Sequence, residues 1–403
     1  MDKTMKWTYR HTLHASYLGY ITQAIINNLP PLLFLTFQRT FDISLELISM
    51  LITINFGIQI LVDFLAARYV DRIGYRPCIV AAHVLSAAGL LALGILPYAL
   101  PNAYAGILIA MTLNAIGGGL IEVLISPIVE SLPGDEKASA MSMLHSFYCW
   151  GHMGVVILST VYFALAGMNA WRVLPALWAL LPLANVFFFT QVPMRTLVSQ
   201  EERMPMRRLL SSRVFWLLFV LMICSGASEQ GMSQWSSYFA ESGLGVSKTL
   251  GDLLGPCAFA FTMGLARLIY GLYGTKINLH GALYASSALC VASYLISVFA
   301  PWPVLSLVGC ALCGLSVGMM WPGTFSTAAE ANPQGSTAMF ALLALAGDLG
   351  CAGGPTLVGF VSGAAGGELK AGLLCAIVFP IALVIALTAL RRTLKTGVKS
   401  VEE

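Results

Sequence analysis

Charge is what this chain of 403 residues has least of. Asp, Glu, Lys and Arg make up 10% of it, while 58% is hydrophobic. Soluble domains carry about 25% charged residues, so a soluble globular enzyme and a disordered chain are both excluded. The formal net charge of +3 is too small to track a phosphate backbone, and nucleic-acid binding is excluded with it. No GxxxxGK[ST] loop occurs, which excludes a built-in P-loop ATPase. There is no metal-ligand cluster and no Ser/His/Asp arrangement of a soluble hydrolase. No cofactor, no metal and no enzymatic chemistry are therefore expected. The nine Cys are scattered through apolar stretches, and only Cys310 and Cys313 stand at CxxC spacing. On a buried helix they read as small packing residues. The first residues, MDKTMKWTYRHTLHASYLGY, lack a small-residue cleavage site after a short apolar core. They read as a basic cytoplasmic tail entering the first span.

What remains is an all-α membrane protein. A spanning helix needs about 20 apolar residues, and the backbone must satisfy its own hydrogen bonds inside lipid. Gly, Pro and charge divide the hydropathy into twelve segments. They lie roughly at 11–37, 45–67, 77–98, 101–130, 138–166, 170–192, 213–240, 249–273, 280–300, 302–329, 336–365 and 370–391. The longest polar connection is residues 193–212. It separates an N-terminal six-helix bundle, 1–192, from a C-terminal one, 213–403, as a transporter built of two halves requires. Basic residues give the orientation. With twelve spans and an internal N-terminus, seventeen of the 22 Lys and Arg fall on the cytoplasmic side. Four fall outside (Arg39, Arg172, Lys248 and Lys370), and Arg267 lies within a span. Both termini are thus expected in the cytoplasm, with the cytoplasmic membrane as the location.

Specific signals sit at the end of span two and in spans four, five and ten. The stretch from Asp63 through Arg68, Asp71, Arg72, Gly74 and Arg76 to Pro77 resembles the loop 2–3 motif of the major facilitator superfamily, roughly G-x-L-x-D-R-x-G-R-[KR]. Asp71, Arg72, Gly74 and Arg76 fit; Ala67 stands where the family has Gly. Gly74 permits a tight turn. The charges can gather with a neighbouring helix end as a latch, so Asp63, Arg68, Asp71, Arg72, Gly74 and Arg76 are the gating candidates. Asp63 itself, near the cytoplasmic end of its span, reads as a gate or helix-end charge. A solvated positive-inside loop is the plainer alternative for the whole stretch. In span four, Gly117-Gly-Gly119-Leu-Ile-Glu122-Val-Leu-Ile-Ser126-Pro127 is similar to the G-x-G-x-x-E-x-x-x-N-P segment of the fucose:proton symporter family. Trp321-Pro322-Gly-Thr-Phe325-Ser326 is similar to its [YW]-P-T-x-F-S, and the span-five run Leu144 to Tyr148 is like segments of sugar-transporting relatives. The resemblance implies the major facilitator fold and proton-coupled sugar import. One departure matters. Relatives with a span-one acid carry it after N-N-x-N, and here Asn27-Asn28-Leu29-Pro30-Pro31 places Pro31 there. Only Glu122 can be carried over.

An ionisable group inside a span is expensive and marks function by default. Glu122, flanked by apolar residues, is the first candidate for proton coupling or substrate contact. A structural pairing with a neighbouring helix is the alternative. Span seven contributes Glu229, Gln230, Gln234 and Trp235, amide and carboxylate groups for hydroxyls and a flat ring for sugar C–H faces. A water-facing helix end would read the same way. In span one, Tyr17, Gln23, Asn27 and Asn28 can line a face, and Pro30 and Pro31 are expected to break the helix after them. His145 and His152, two turns apart, are relay or contact candidates, or plain helix-interface residues. Trp321 completes the substrate-binding set. Asp348, among glycines that permit close helix contact, is a further coupling candidate with Glu229, or a partner for Arg267.

The expected function is a secondary active transporter importing a polar small molecule, a sugar or sugar derivative, with protons. The partners are that substrate, a co-transported proton and the bilayer, and the carrier is expected as a monomer. An exporter of amphipathic compounds, a uniporter and a receptor without flux are the alternatives. The polar seventh span argues against the first, and the lack of a cytoplasmic signalling domain against the last.

Overall fold

The structure, a computed structural model, describes residues 7–133, 137–194, 209–273, 278–331 and 337–402. Much of the expected linker, 195–208, falls outside the described residues, as does Asn332. Among those described the ordered elements are helical, with no strand. The first six long helices are α1 (Tyr9–Phe41), α2 (Leu45–Ile73), α3 (Tyr75–Ala99), α4 (Ala103–Glu130), α5 (Lys137–Ala166) and α6 (Val173–Gln191). The next six are α7 (Arg213–Ser233), α8 (Ala258–Tyr273), α9 (Leu279–Phe299), α10 (Pro303–Ala331), α11 (Thr337–Ala364) and α12 (Val378–Glu402).

Continuous apolar runs force helices here, because lipid offers the backbone no partner. Leu61, Phe64, Leu165, Phe187 and Ile385 are exposed large side chains suited to lipid. Short polar residues start several helices in the way their chemistry favours. Asn102 accepts from Ala105 N at 3.2 Å, Ser212 from Phe215 N at 3.4 Å and Asn278 from Gly281 N at 2.9 Å. Gly74 joins α2 to α3 at φ +100°, a backbone region that side-chain-bearing residues rarely adopt.

Among the described residues, eleven helical segments are long and apolar enough to cross a membrane. The first helix is absent from that set although it is 33 residues long. Its buried face carries Thr12, Ser16, Thr22, Gln23, Asn27 and Asn28, which dilute its hydropathy. With it the described residues hold twelve long helices, the number of spans expected from the sequence.

One expectation is corrected. Pro30 and Pro31 do not break α1, which continues through them to Phe41. A proline removes one donor and pushes on the carbonyl four residues back. In α1 those carbonyls belong to Ile26 and Asn27. Tight packing holds the helix course, since every residue from Thr22 to Leu35 is buried. The real interruptions are elsewhere. After Ser233 the chain turns at Gln234 and Trp235, then runs through Ser236–Tyr238 and a π turn, Phe239–Gly243. The approach to α8 is Lys248–Asp252 and a second π turn, Leu253–Cys257, that contains Pro256.

The helices fall into two compact units: Met1–Ile43 with Gly57–Ser199, and Ser44–Phe56 with Gln200–Glu403. In the first unit α3 packs on α4 and α6, and α1 packs on α4, α5 and α6. In the second, α9 packs on α10 and α12, and α7 on α10, α11 and α12. Each pairing of the first unit recurs six helices later. The second unit also holds the first turns of α2 along α11. There Thr53 and Thr356 share a hydroxyl hydrogen bond, and Ser49 lies against Gly359.

Glycines of α11 set its distance from α7. A Cβ on Gly350 would overlap the carbonyl oxygen of Ile223, and one on Gly354 that of Ala227. Small residues of this kind let helix backbones approach closely in membranes. Gly353, between them, has open space around it. Gly350→Val and Gly354→Val are therefore expected to lower thermal stability by about 1–3 kcal/mol, the usual result of overpacking. Gly353→Ala should be tolerated. Thermal unfolding of detergent-purified variants, read by intrinsic fluorescence, checks this ranking.

Candidate functional site

In the first unit, three consecutive glycines of α4 let three helices close on it. A Cβ on Gly117 would meet Ser86 and the Ala82 carbonyl of α3. On Gly118 it would sit 3.6 Å from Gln23 Oε1 of α1. On Gly119 it would lie 3.1 Å from Val62 Cβ and 3.2 Å from Gln59 Cα of α2. One turn further along α4 is Glu122. Gln23 Nε2 donates to Glu122 Oε2 at 2.7 Å across a sequence separation of 99. Gln23 is only 4% exposed, and its Oε1 is buried with no hydrogen-bond partner. Gln59 Nε2 donates to Asn27 Oδ1 at 3.3 Å. Asn28 Nδ2 donates to Ala24 O at 2.9 Å and to Tyr148 Oη at 3.4 Å.

Around this row, Tyr20 Oη and Ser126 Oγ lie 3.0 Å apart. Ser126 is four residues, one turn, beyond Glu122. His145 stands edge-on to Tyr20 with 5.3 Å between ring centroids, and Tyr17 stacks on Phe147 at 4.2 Å. His152 is buried in α5. The structure thus brings Gln23 and Glu122 into contact, and sets Asn27 against Gln59, Asn28 against Tyr148 and His145 against Tyr20 along the same face of α1. Gln59 is not among the sequence candidates. A polar amide in the apolar run of α2 is the signal that points to it.

The gating candidates separate. Arg76 caps the C-terminal end of α6, donating to the carbonyls of Phe189, Thr190 and Val192 at 2.7, 2.9 and 2.8 Å. Cations at a helix C-terminus are favoured by its orphan carbonyls and dipole. Arg72 is exposed at the end of α2. The side chains of Arg68 and Asp71 lie outside the described residues. Asp63 is part-buried on α2, one turn from Gln59.

The second unit holds a different polar row. Gln234 Nε2 donates to Gln230 Oε1 at 2.9 Å, Gln230 Nε2 to Glu229 Oε1 at 3.3 Å, and Arg267 Nη2 of α8 to Glu229 Oε2 at 3.3 Å. Glu229 is 7% exposed and both glutamines are buried. The polar stretch of span seven is therefore interior rather than a wet helix end. The part-buried Arg267 of α8 has Glu229 as its carboxylate in this ion pair. Asp348 is buried on α11. Beside it, a Cβ on Gly347 would overlap the Trp321 ring, so Trp321 seats α10 against α11. Trp235 is wholly buried and donates Nε1 to Pro355 O at 3.0 Å. Its ring ties α11 to the break after α7 and presents no open face.

Two further buried polar groups escaped the sequence. His83 of α3 bonds Ile79 O at 2.8 Å through Nδ1, and Asn185 Nδ2 at 2.8 Å through Nε2. The pattern assigns the proton to Nδ1, with Nε2 as acceptor. Asn185 also donates to Ala15 O at 3.0 Å, which binds α1, α3 and α6 together. Lys248 pairs with the buried Asp252 at 2.9 Å, and Ser237 Oγ donates to the same carboxylate at 2.5 Å. Among the described residues no group of three or more His, Cys, Asp or Glu could hold a metal ion.

This helix arrangement recurs in solved structures. The transporter FucP in its outward conformation aligns over 94% of this chain and 98% of its own, with TM-score 0.65 and 16% identity. A bacterial homologue of the human lysosomal transporter Spinster, inward-facing and occupied, aligns over 96% and 97%, with TM-score 0.74 and 13% identity. A mutant of the nucleoside transporter NupG aligns over 94% and 99%, with TM-score 0.72 and 13% identity. At these identities the likeness is one of fold. No curated protein matches at the level of sequence. The sequence profile of the Major Facilitator Superfamily matches residues 16–355. Together with the twelve-helix architecture, that match makes this chain a member of the Major Facilitator Superfamily.

Proposed function

We propose that this protein is a proton-coupled importer of a sugar or sugar derivative, working by alternating access in the cytoplasmic membrane. The observation that carries the reading is the Gln23–Glu122 contact inside a bilayer-spanning bundle. A carboxylate placed there is costly in lipid and persists where it serves a coupling ion or a substrate. Asn27, Asn28 and Gln59 lie beside it with amide groups that can exchange one hydrogen bond for a substrate hydroxyl. Glu229, Gln230 and Gln234 offer a second set. Coupling falls to Glu122 first, with Glu229 and Asp348 as further acids. Trp321, His145 and His152 complete the proposed contacts, and Trp235 contributes by supporting the chain break after α7.

The substrates named for two of the structural neighbours, fucose for one and nucleosides for another, are both hydroxyl-rich. Such ligands suit a row of amides and carboxylates. The excess of Lys and Arg in one set of loops supports termini on the cytoplasmic side. The protein transports and does not catalyse, and a monomer suffices.

Proteoliposome uptake tests this reading. Under an inward proton gradient, saturable uptake is expected for one class within a panel of neutral sugars, acidic sugars, nucleosides and lipophilic drugs. Uptake of a sugar class that ignores the proton gradient would make the protein a uniporter or a carrier coupled to another ion. Extrusion of the lipophilic drugs alone would make it an exporter of amphipathic compounds.

A further inference from the structure

The three consecutive glycines of α4 are not alike. A Cβ on Gly117 would overlap Ser86 and the Ala82 carbonyl, and one on Gly119 would crowd Val62 Cβ at 3.1 Å and Gln59 Cα at 3.2 Å. Both positions need glycine for the helices to approach. Gly118 does not. A Cβ there would meet nothing nearer than 3.6 Å, in ordinary contact with Gln23 Oε1, Ile26 Cγ2 and Gln59 Cδ. Its backbone lies within α4 and has no positive φ that would call for glycine. Glycine inside a helix is less stable than alanine. Packing and backbone would therefore both accept alanine, and folding gains nothing from the missing methyl. What the missing methyl leaves is a buried space of one heavy atom between α1, α2 and α4. Gln23, 4% exposed, faces it. The carboxylate of Glu122 takes the amide nitrogen. That leaves Oε1 on the Gly118 side, buried and without a donor. An amide oxygen in that state is costly until a donor reaches it. One heavy atom carrying one proton is a hydroxyl, and Ile26 offers an apolar wall for the carbon that bears it.

We propose that Gly118 is a specificity-determining residue, which keeps open a subsite where one substrate hydroxyl donates to Gln23 Oε1. The subsite lies one turn from Glu122 and rests on the transport reading above. Gln59 and Asn28 would exchange an existing hydrogen bond to meet a substrate. Gln23 Oε1 gives up none, so a hydroxyl there is a net gain. The ligand class is a neutral polyhydroxylated molecule, a sugar or a nucleoside, of which one hydroxyl is read at this point.

The test uses the full-length protein in proteoliposomes. The probes are the sugars and nucleosides of the uptake panel, glucose and uridine among them. Each is paired with its singly deoxygenated derivatives, competed against uptake of the labelled parent compound. In wild type, one deoxy derivative is expected to compete about tenfold less well than its parent, because it leaves Oε1 without a donor. Gly118→Ala should melt at or above the wild-type temperature, since helix propensity rises and no contact becomes tight. It should raise the KM of the parent compound by about tenfold. Its affinity for the one deoxy derivative should stay as in wild type, so discrimination at that hydroxyl disappears while discrimination at the others remains. Gly118→Ser puts a hydroxyl of its own beside Gln23 Oε1 and should have the same effect. Equal competition by every deoxy derivative in wild type, or discrimination that survives in both variants, would overturn the proposal. A Gly118→Ala protein that melts well below wild type would overturn it too, because the position would then be packed shut. Wild-type protein that takes up no sugar or nucleoside would instead overturn the parent reading.

Discussion

Glu122→Gln is expected to convert the carrier from an accumulating transporter into an exchanger. Net uptake against a concentration gradient should disappear, while exchange of labelled for unlabelled substrate continues. The reason is the position of the carboxylate. Glu122 accepts from Gln23 at 2.7 Å inside the first unit, one turn beyond the glycines at which α1 and α2 approach α4. Glutamine has nearly the same shape and keeps a carbonyl acceptor for Gln23, so packing is preserved. What it cannot do is change charge. Coupling between an ion and a substrate is reciprocal and typically spans about 5–150-fold in affinity. The dependence of substrate affinity on the driving ion should shrink by that factor. Binding of the identified substrate by the purified variant, measured across pH and sodium concentration, gives the number. A variant whose substrate affinity still follows the ion as in wild type would remove Glu122 from the coupling role.

Arg267→Ala is expected to destabilise the second unit at least as much as the valine substitutions in α11. Glu229 is buried on α7, and the guanidinium of Arg267 reaches it at 3.3 Å. Breaking a buried pair strands a charge in low dielectric, usually at about 3–5 kcal/mol. Arg267 retains 20% side-chain exposure, which argues for about 3 kcal/mol, the lower end of that range. Replacing both partners by neutral side chains of similar size, Glu229→Gln with Arg267→Met, removes the stranded charge. The double variant should recover most of the thermal stability lost by Arg267→Ala. It should not recover transport if Glu229 contacts the substrate. Thermal unfolding and uptake measured on the same preparations separate the two effects. An Arg267→Ala protein as stable as wild type would show that the pair contributes little to the unit.

Much of the architecture is legible in the amino-acid sequence. The apolar runs, the basic loops and the scarcity of charge follow from the solvent that each segment meets. Lipid tolerates only helices of about 20 apolar residues. Glu122 and Glu229 stand out because a charged group is rare and costly in such a run. The glycines of α11 are legible as contact residues, and Gly350 and Gly354 do lie against α7 backbone. The first helix illustrates the limit of hydropathy. Its buried polar face keeps it out of the set of eleven segments apolar enough to span, yet the tertiary packing around that face gives it its course.

The number of spans, the class of fold and the residues too expensive to be incidental were determined by the sequence alone, because each follows from local composition along the chain. The tertiary structure decided who meets whom. It paired Arg267 with Glu229 across a separation of 38 residues and carried α1 through two prolines. It turned Trp235 inward onto Pro355 and set Gln23 of α1 against Glu122 of α4. Those outcomes depend on the rotation and register of helices far apart in the chain. A one-dimensional pattern states which face of a helix is polar, but its partner is chosen only when helices pack at the distances their glycines allow.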